Sequence, residues 1–202
     1  GTRDQNCPPM TIIRLGTSGG IQPDVTPGSL TISSYALGLD TTGIYYDQPT
    51  KDETIKRIEE DSAEILNNAI DNSSRFKGKI FPYASKASTE VTNALIHQAQ
   101  ISGLEFDTGI TVSSPGFYGP SSRIIDGLKN TIPDIKGSLS ELNINGLKAH
   151  NMEMESSLLF HLCAQMGYRA GTICTVISGP TESNSIIDYE TAIGNTIRIG
   201  LN

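Results

Sequence analysis

The chain has 202 residues, of which 37% are hydrophobic and 20 are glycine, a composition typical of a globular protein with a sizeable core. Its formal net charge of −7 argues against broad nucleic-acid binding, which requires a basic surface. No apolar run approaches the length of a membrane span, and three cysteines without a CxxC pair favour a reduced, cytoplasmic setting.

Strand-like and helical patterns alternate along the chain. The predicted strands are Met10–Gly16, Ser29–Ala36, Leu104–Val112 and Gly171–Ser178. The predicted helices are Lys51–Asn72, Thr89–Ser102, Ser138–Asn145, Glu155–Tyr168 and Ile186–Leu201. Because no linker or repeat separates these elements, we expect a single α/β domain over residues 1–202, a sheet with helices on its faces.

The first predicted strand carries Arg14 and runs into Thr17-Ser18-Gly19-Gly20, which we expect to break into a turn. Freed backbone N–H groups, two hydroxyls and a guanidinium can together hold an oxyanion such as phosphate. An ordinary tight turn explains the glycines equally well. The segment has neither the ending of a Walker loop nor the spacing of a dinucleotide site.

A second segment, residues 113–123, follows the third predicted strand and reads Ser-Ser-Pro-Gly-Phe-Tyr-Gly-Pro-Ser-Ser-Arg. Phe117 and Arg123 lie six residues apart in this loop. A ring for stacking and a fixed set of donors for edge hydrogen bonds would suit a planar heterocycle. The alternative is a hydrophobic plug in a surface loop.

The third segment is Asn-Met-Glu-Met-Glu-Ser at residues 151–156, where a strand should pass into a helix. A carboxylate at the head of a helix is stabilised by the positive end of the helix dipole. There it can also accept hydrogen bonds from the vicinal hydroxyls of a ribose. A helix N-terminus that simply favours acidic residues accounts for the same hexapeptide.

Taken together, the three segments resemble the nucleoside phosphorylase family, and within it the uridine phosphorylase type. The resemblance runs from about Thr11 to the C-terminus and keeps the order Arg-x-Gly-Thr-Ser-Gly-Gly, Phe-Tyr-Gly-Pro-x-x-Arg, Glu-Met-Glu-Ser. It implies a mixed central β-sheet flanked by helices on both faces, a three-layer sandwich. It also implies a pentosyltransferase of nucleoside salvage: nucleoside plus phosphate gives free base and (deoxy)ribose 1-phosphate.

The resemblance assigns a role to each matching position. Those matching the phosphate site are Arg14, Thr17 and Ser18. Those matching the ribose site are Ser18, Glu153, Met154 and Glu155. Those matching the base site are Gly19, Phe117, Ser121, Arg123 and Ile177. Arg14 and Glu155 are the expected catalytic residues; inorganic phosphate is the co-substrate, and no metal or organic cofactor is expected.

Two departures from the family pattern leave the base open. Ser121 stands where pyrimidine-specific members usually carry glutamine, and a hydroxyl lacks the reach of an amide. After the last predicted strand the chain reads Ser178-Gly179-Pro180-Thr181, without the Asn-Arg of uridine-cleaving members or the Asp of purine-cleaving ones. A phosphorylase or hydrolase of another nucleoside, such as a purine nucleoside, and a nucleoside-binding homologue without turnover are therefore the alternatives.

A third departure concerns the start of the chain. Family members begin with a strand that carries a glycine-rich turn and a further phosphate-binding arginine, and no such segment precedes Thr11. We therefore expect the fold to be N-terminally incomplete and this piece alone to have little activity. The resemblance also implies a homo-oligomer, a dimer or hexamer, in which a neighbouring subunit completes each pocket; neither a nucleic acid nor a membrane is an expected partner.

Overall fold

The computed structural model describes residues 8–47, 52–179 and 188–202. The strands of these ranges are β1 (Thr11–Gly20), β2 (Leu30–Gly38), β3 (Tyr83–Lys86), β4 (Phe106–Ser113), β5 (Asn143–Ile144), β6 (Leu147–Glu153) and β7 (Arg169–Ser178). The α-helices are α1 (Glu53–Asn68), α2 (Thr89–Ile101), α3 (Ile135–Ser140), α4 (Ser156–Gln165) and α5 (Tyr189–Leu201). Short 3₁₀ turns cover Thr42–Tyr45 and Gly119–Ser121.

The strands form one mixed sheet in the order β1-β7-β2-β4-β6-β5, with β3 paired to β2. The pairs β1–β7, β2–β4 and β4–β6 are parallel, whereas β2–β7 is antiparallel. The end of β1 also pairs antiparallel with the end of β6, Gly19 opposite Met152 and Gly20 opposite Asn151. The sheet therefore curls until five strands close a ring, and the carboxyl ends of β1 and β6 meet.

Helices cover both faces of this sheet. On one face α1 and α3 place Ile58 and Leu139 against Leu37 of β2. On the other face α4 packs Phe160 near Ala36, and α2 and α5 pack against β7. Side chains of successive strand residues point to opposite faces of a sheet. The neighbours Ala36 and Leu37 therefore pack into the hydrophobic cores on opposite faces. The predicted mixed sheet with helices on both faces is confirmed.

The structure contains all four predicted strands and four of the five predicted helices, with shifted ends. The helix predicted over Ser138–Asn145 is wrong. Helix α3 covers Ile135–Ser140, and the chain then enters the hairpin of β5 and β6. Asn145 and Gly146 join these strands with positive φ angles of 55° and 92°. An Asn-Gly pair is the preferred two-residue hairpin turn because both residues tolerate that conformation.

The turn predicted at Thr17-Ser18-Gly19-Gly20 is also wrong. These residues continue β1 because β7 pairs with Thr17, Ser18 and Gly19 on one side. On the other side β6 pairs with Gly19 and Gly20. The irregularity at this point is a register shift between Ser18 and Gly19. Thr17 therefore lies inside β1, and Ser178 is the last residue of β7. No helix of the three described ranges is long and apolar enough to cross a membrane.

Candidate active site

A cavity of about 370 Å³ lies where the carboxyl ends of β1, β4, β6 and β7 converge. All eleven predicted site residues line it: Arg14, Thr17, Ser18, Gly19, Phe117, Ser121, Arg123, Glu153, Met154, Glu155 and Ile177. Two other cavities, of about 460 and 530 Å³, lie among α1, α3 and the neighbouring loops and contain none of these residues. The three sequence motifs thus meet in one place.

Arg14 is fixed by partners on three sides. Its Nη2 forms an ion pair with Glu155, its Nε lies 3.2 Å from Glu153 Oε2, and its Nη1 donates to Cys174 Sγ at 3.0 Å. The guanidinium lies over Gly16, since a methyl group added at Gly16 would overlap it. A side chain at that position would therefore displace the arginine from the cavity.

The charge of Arg14 is set by the same neighbours. Burial opposes the cation, but Cys174, Glu153 and Glu155 outweigh it and raise the pKa of Arg14 above its ordinary value. Burial raises the pKa of Cys174 to about 12, so this sulfur is a neutral thiol at physiological pH. The site therefore holds a permanent cation beside two carboxyl groups.

Glu153 holds the start of α4. Its carboxylate accepts from the backbone N–H of Glu155 at 3.1 Å and of Ser156 at 3.0 Å, and from Ser113 Oγ at 2.6 Å. Only 1% of its side chain is exposed. Its oxygens are thus occupied by the protein, and the carboxylate orients both Arg14 and the backbone that carries Glu155.

Glu155 and Met154 face outward from this anchored turn. The Glu155 side chain is 57% exposed, and beyond Arg14 its carboxylate has room for further donors. Met154 is similarly exposed. Of the two glutamates in the motif, Glu155 is the one placed to accept hydrogen bonds from a ligand.

Ser18 is held by a buried polar chain beneath the cavity. Asn151 Nδ2 donates to Ser18 Oγ at 2.9 Å, and Thr111 Oγ1 donates to Asn151 Oδ1 at 2.8 Å. Ser33 Oγ lies 2.6 Å from Thr111 Oγ1 and extends the chain across the sheet. Because Ser18 accepts within this network, its hydroxyl hydrogen is left to donate into the cavity.

Another part of the cavity wall is formed by residues of the 113–123 loop. The guanidinium carbon of Arg123 lies 3.4 Å from the centroid of the Phe117 ring, a cation–π stack in which both side chains are exposed. Ser121 stands where pyrimidine-specific family members usually carry glutamine. Its Oγ donates to Gly116 O at 2.8 Å, so this hydroxyl stabilises the conformation of the loop.

Four residues that line the cavity are not among the predicted site residues: Lys136, Met152, Ser178 and Tyr189. Lys136 comes from α3, and burial and then the charge of Arg123 lower its pKa below the ordinary value. Asp134, whose side chain accepts from Gly137 N at 2.8 Å, is the helix-start signal that marks this segment.

Positions 180 to 182, which include Pro180, where the chain departs from the family pattern, lie outside the described residues.

Across residues 8–47, 52–179 and 188–202, no cluster of three or more His, Cys, Asp or Glu side chains could hold a metal ion. The donors of the cavity suit oxyanions, hydroxyls and a planar ring.

Comparison with known proteins agrees with this geometry. The family model described as Phosphorylase superfamily matches residues 5–196. Uridine phosphorylase of Haemophilus influenzae is 29% identical over 172 residues, which cover 85% of this chain and 55% of that protein. Uridine phosphorylase of Thermococcus kodakarensis is 30% identical over 168 residues, 83% of this chain and 48% of that protein. The chain thus spans about half the length of the curated relatives it matches.

A solved structure matches as well. The crystal structure of Trypanosoma brucei nucleoside phosphorylase, described as showing uridine phosphorylase activity, superimposes with a TM-score of 0.79 at 26% identity. The match covers 95% of this chain and 62% of that one.

Proposed function

This chain belongs to the phosphorylase superfamily, and we propose that the protein carrying it is a nucleoside phosphorylase that cleaves uridine or a related pyrimidine nucleoside. Phosphate replaces the base on C1′ of the sugar, giving free base and pentose 1-phosphate. The reaction is reversible and serves nucleoside salvage.

The observation that carries this proposal is the set of groups that line one cavity. Arg14, Thr17 and Ser18 suit a phosphate, Glu155 and Met154 suit a sugar, and Phe117 and Arg123 suit a base. A nucleoside with phosphate on the opposite face of its sugar needs these three kinds of contact, and we call the two outer groups the phosphate end and the base end of the cavity.

At the phosphate end, an oxygen lone pair of phosphate forms the bond to C1′ while the C1′–N bond breaks. The sugar carries positive charge in the transition state, and the phosphate anion beside it stabilises that charge. Arg14 binds the phosphate, since guanidinium donors match phosphate oxygens. Glu155 then exchanges its contact with Arg14 for the sugar hydroxyls, a movement that its exposure permits.

At the base end, the electron pair of the broken bond moves onto the leaving base. The Phe117 ring packs against the base, and Arg123 donates to its carbonyl edge once the two side chains separate. Ser121 is the observation that favours a second candidate, a nucleoside with another base, because its hydroxyl hydrogen is already donated to Gly116.

We also propose that the protein is a homo-oligomer in which a neighbouring subunit adds to the phosphate end. Arg14 is the sole cation among the described residues at that end of the cavity, and phosphate carries up to two negative charges. Analytical ultracentrifugation of the full-length protein tests this; a monomer with full activity would contradict it.

The deciding experiment is ultraviolet-monitored base release by the full-length protein from uridine, with and without phosphate. Phosphate-dependent uracil release supports the proposed reaction. Release from inosine or adenosine in place of uridine would select the second candidate. Tight uridine binding with no bond cleavage by a folded protein would contradict catalysis and indicate a nucleoside-binding protein.

A further inference from the structure

The two ends of the cavity differ in how their charges are balanced. The carboxylates that line it, Glu153 and Glu155, both pair with Arg14. At the base end lie two cations, Arg123 and Lys136, and no carboxylate of the described lining residues accompanies them. This end of the cavity therefore favours a ligand that carries or develops negative charge.

Lys136 is placed at this end by the fold rather than by a surface loop. The backbone N–H of Ile135 donates to Ser122 Oγ at 2.5 Å, which ties the start of α3 to the loop that carries Arg123. Asn130 Nδ2 donates to Arg123 O at 3.2 Å and closes the same connection. The lysine and the arginine are consequently neighbours whose relative position is set by hydrogen bonds.

The ammonium of Lys136 reaches the floor of the cavity. A methyl group added at Gly19 would lie 3.0 Å from Lys136 Nζ and 3.0 Å from Ser178 Oγ. Asp134 attracts the lysine, but no hydrogen bond or ion pair joins Nζ to the residues that the structure describes. A half-buried ammonium with three donors and no such acceptor points to a ligand atom as its partner.

We propose that Lys136 is a base-contacting residue, whose ammonium donates to a carbonyl oxygen of the nucleobase and stabilises the charge that develops there as the base departs. The inference rests on the proposed phosphorolysis. It assigns to Lys136 the base contact that the short Ser121 side chain does not make.

The chemistry of the leaving group explains the choice of a lysine. When the C1′–N bond breaks, its electron pair delocalises over the ring onto the carbonyl oxygens, and the ammonium keeps its proton while it holds one of them. A fixed donor in a water-poor site stabilises such charge strongly, and loss of one donor commonly lowers the rate by about 10²–10³-fold.

The same contact selects among bases. Uracil offers a carbonyl oxygen at the positions where an ammonium can donate, whereas cytosine offers an amino group at one of them. The amino group of cytosine is a donor and cannot accept a hydrogen bond from the ammonium. The ammonium would then lack a partner in a partly desolvated site, which is unfavourable. Lys136 should therefore favour uridine over cytidine.

The test compares Lys136→Met with wild type in the full-length protein, with Lys129→Met as the matched control. Lys129 is exposed, comes from the neighbouring loop and does not line the active-site cavity. We expect Lys136→Met to lower kcat/KM for uridine about 10²-fold with the KM for phosphate unchanged. The loss should be smaller for 5-fluorouridine, whose leaving anion is more stable, and the preference for uridine over cytidine should fall.

Three outcomes would overturn the inference. One is a kcat/KM for uridine that stays within about threefold of wild type; another is an equal loss for uridine and 5-fluorouridine, which indicates a structural effect. The third is a weaker phosphate affinity, which would place Lys136 at the other end. Lys136→Gln keeps a donor without charge and should lie between wild type and Lys136→Met, so a poorly folded methionine variant does not end the test.

The activity of the wild-type protein distinguishes a failure of the proposed function from a failure of the inference about Lys136. If wild type releases no base from uridine, the reaction is wrong, and uracil binding measured by calorimetry then judges Lys136 alone. Weaker uracil binding by Lys136→Met would support a base contact. Equal binding would overturn it.

Discussion

At the phosphate end of the cavity, Arg14 is only 19% exposed and touches three protein partners, whereas at the base end Arg123 stacks on Phe117 in an exposed loop. The first arrangement is built from strand β1 and the start of helix α4, whose backbone hydrogen bonds fix each side chain. The second depends on a loop between elements. Arg14 is thus held rigidly by its partners, whereas Phe117 and Arg123 lie in an exposed loop and are freer to move.

The largest effect should follow from breaking the rigid end. Arg14→Met removes the cation that we propose binds phosphate, and it leaves buried Glu153 without its counter-charge. We expect kcat/KM to fall by about 10³-fold and the free energy of unfolding to fall by about 3 kcal/mol. Steady-state kinetics and urea unfolding measure the two losses.

The matched control is Arg169→Met, since Arg169 pairs with Glu90 on the surface, where both side chains are exposed. An exposed pair of this kind contributes at most about 1 kcal/mol. Equal losses in the two variants would show that Arg14 has no special place in the cavity.

The next effect tests the flexible end. Arg123→Ala should lower kcat/KM for uridine by about 10²-fold while the KM for phosphate and the unfolding free energy stay unchanged, because the side chain is exposed. Arg75→Ala is the control, since Arg75 stacks on Phe76 in the same manner, with its guanidinium carbon 4.5 Å from the ring centroid. A parallel loss of phosphate affinity in Arg123→Ala would contradict a role confined to the base.

A smaller effect comes from loosening the rigid end without removing its cation. Glu155→Gln should lower turnover about tenfold, because a neutral amide accepts from sugar hydroxyls less strongly than a carboxylate does. Phosphate should bind more tightly, since Arg14 loses a competing carboxylate. Calorimetric phosphate titration separates the two effects; weaker phosphate binding would show that Glu155 helps to hold the anion.

The smallest effect concerns pH. The pKa of Lys136 lies below the ordinary 10.5, because burial and the charge of Arg123 disfavour the cation and Asp134 only partly offsets them. The other titratable groups that line the cavity are Arg14, Glu153, Glu155 and Tyr189. The ammonium is present below this lowered pKa and is lost as pH rises through it, so kcat/KM should decline by up to about tenfold per pH unit on the alkaline side.

Lys136→Met should lack that alkaline decline, whereas Lys129→Met should keep it. The pH profile of kcat/KM for uridine measures the difference. An unchanged alkaline limb in Lys136→Met would assign the titration to another group.

The cavity was more predictable from the sequence than the backbone that forms it. Every predicted site residue lines the cavity, because residue types with specialised chemistry stand out even where the local conformation is misjudged. The segment 17–20 is rich in glycine and was expected to turn, yet pairing with β6 and β7 keeps it extended. Such pairing partners lie far away in the sequence, so local propensity carries no information about them.

Lys136 and Glu153 illustrate the remaining gap. Lysine in a short polar segment has no distinctive pattern, and contacts of α3 with distant parts of the chain, among them the 113–123 loop, bring it to the cavity. Glu153 lies in the recognised motif, but its partners Ser113 and Arg14 come from other strands. Whether a carboxylate is free for a ligand or is used by the fold depends on such distant neighbours.

The position of β1 between β6 and β7 also has a consequence for biosynthesis. Within the described residues, the first strand pairs only with strands made much later, and Arg14 has Thr172 as its register partner. Closing such a long loop is entropically unfavourable, so contacts of this kind form late and slow folding. A nascent chain therefore has no assembled cavity until β7 has left the ribosome, and the cavity should take shape late in folding.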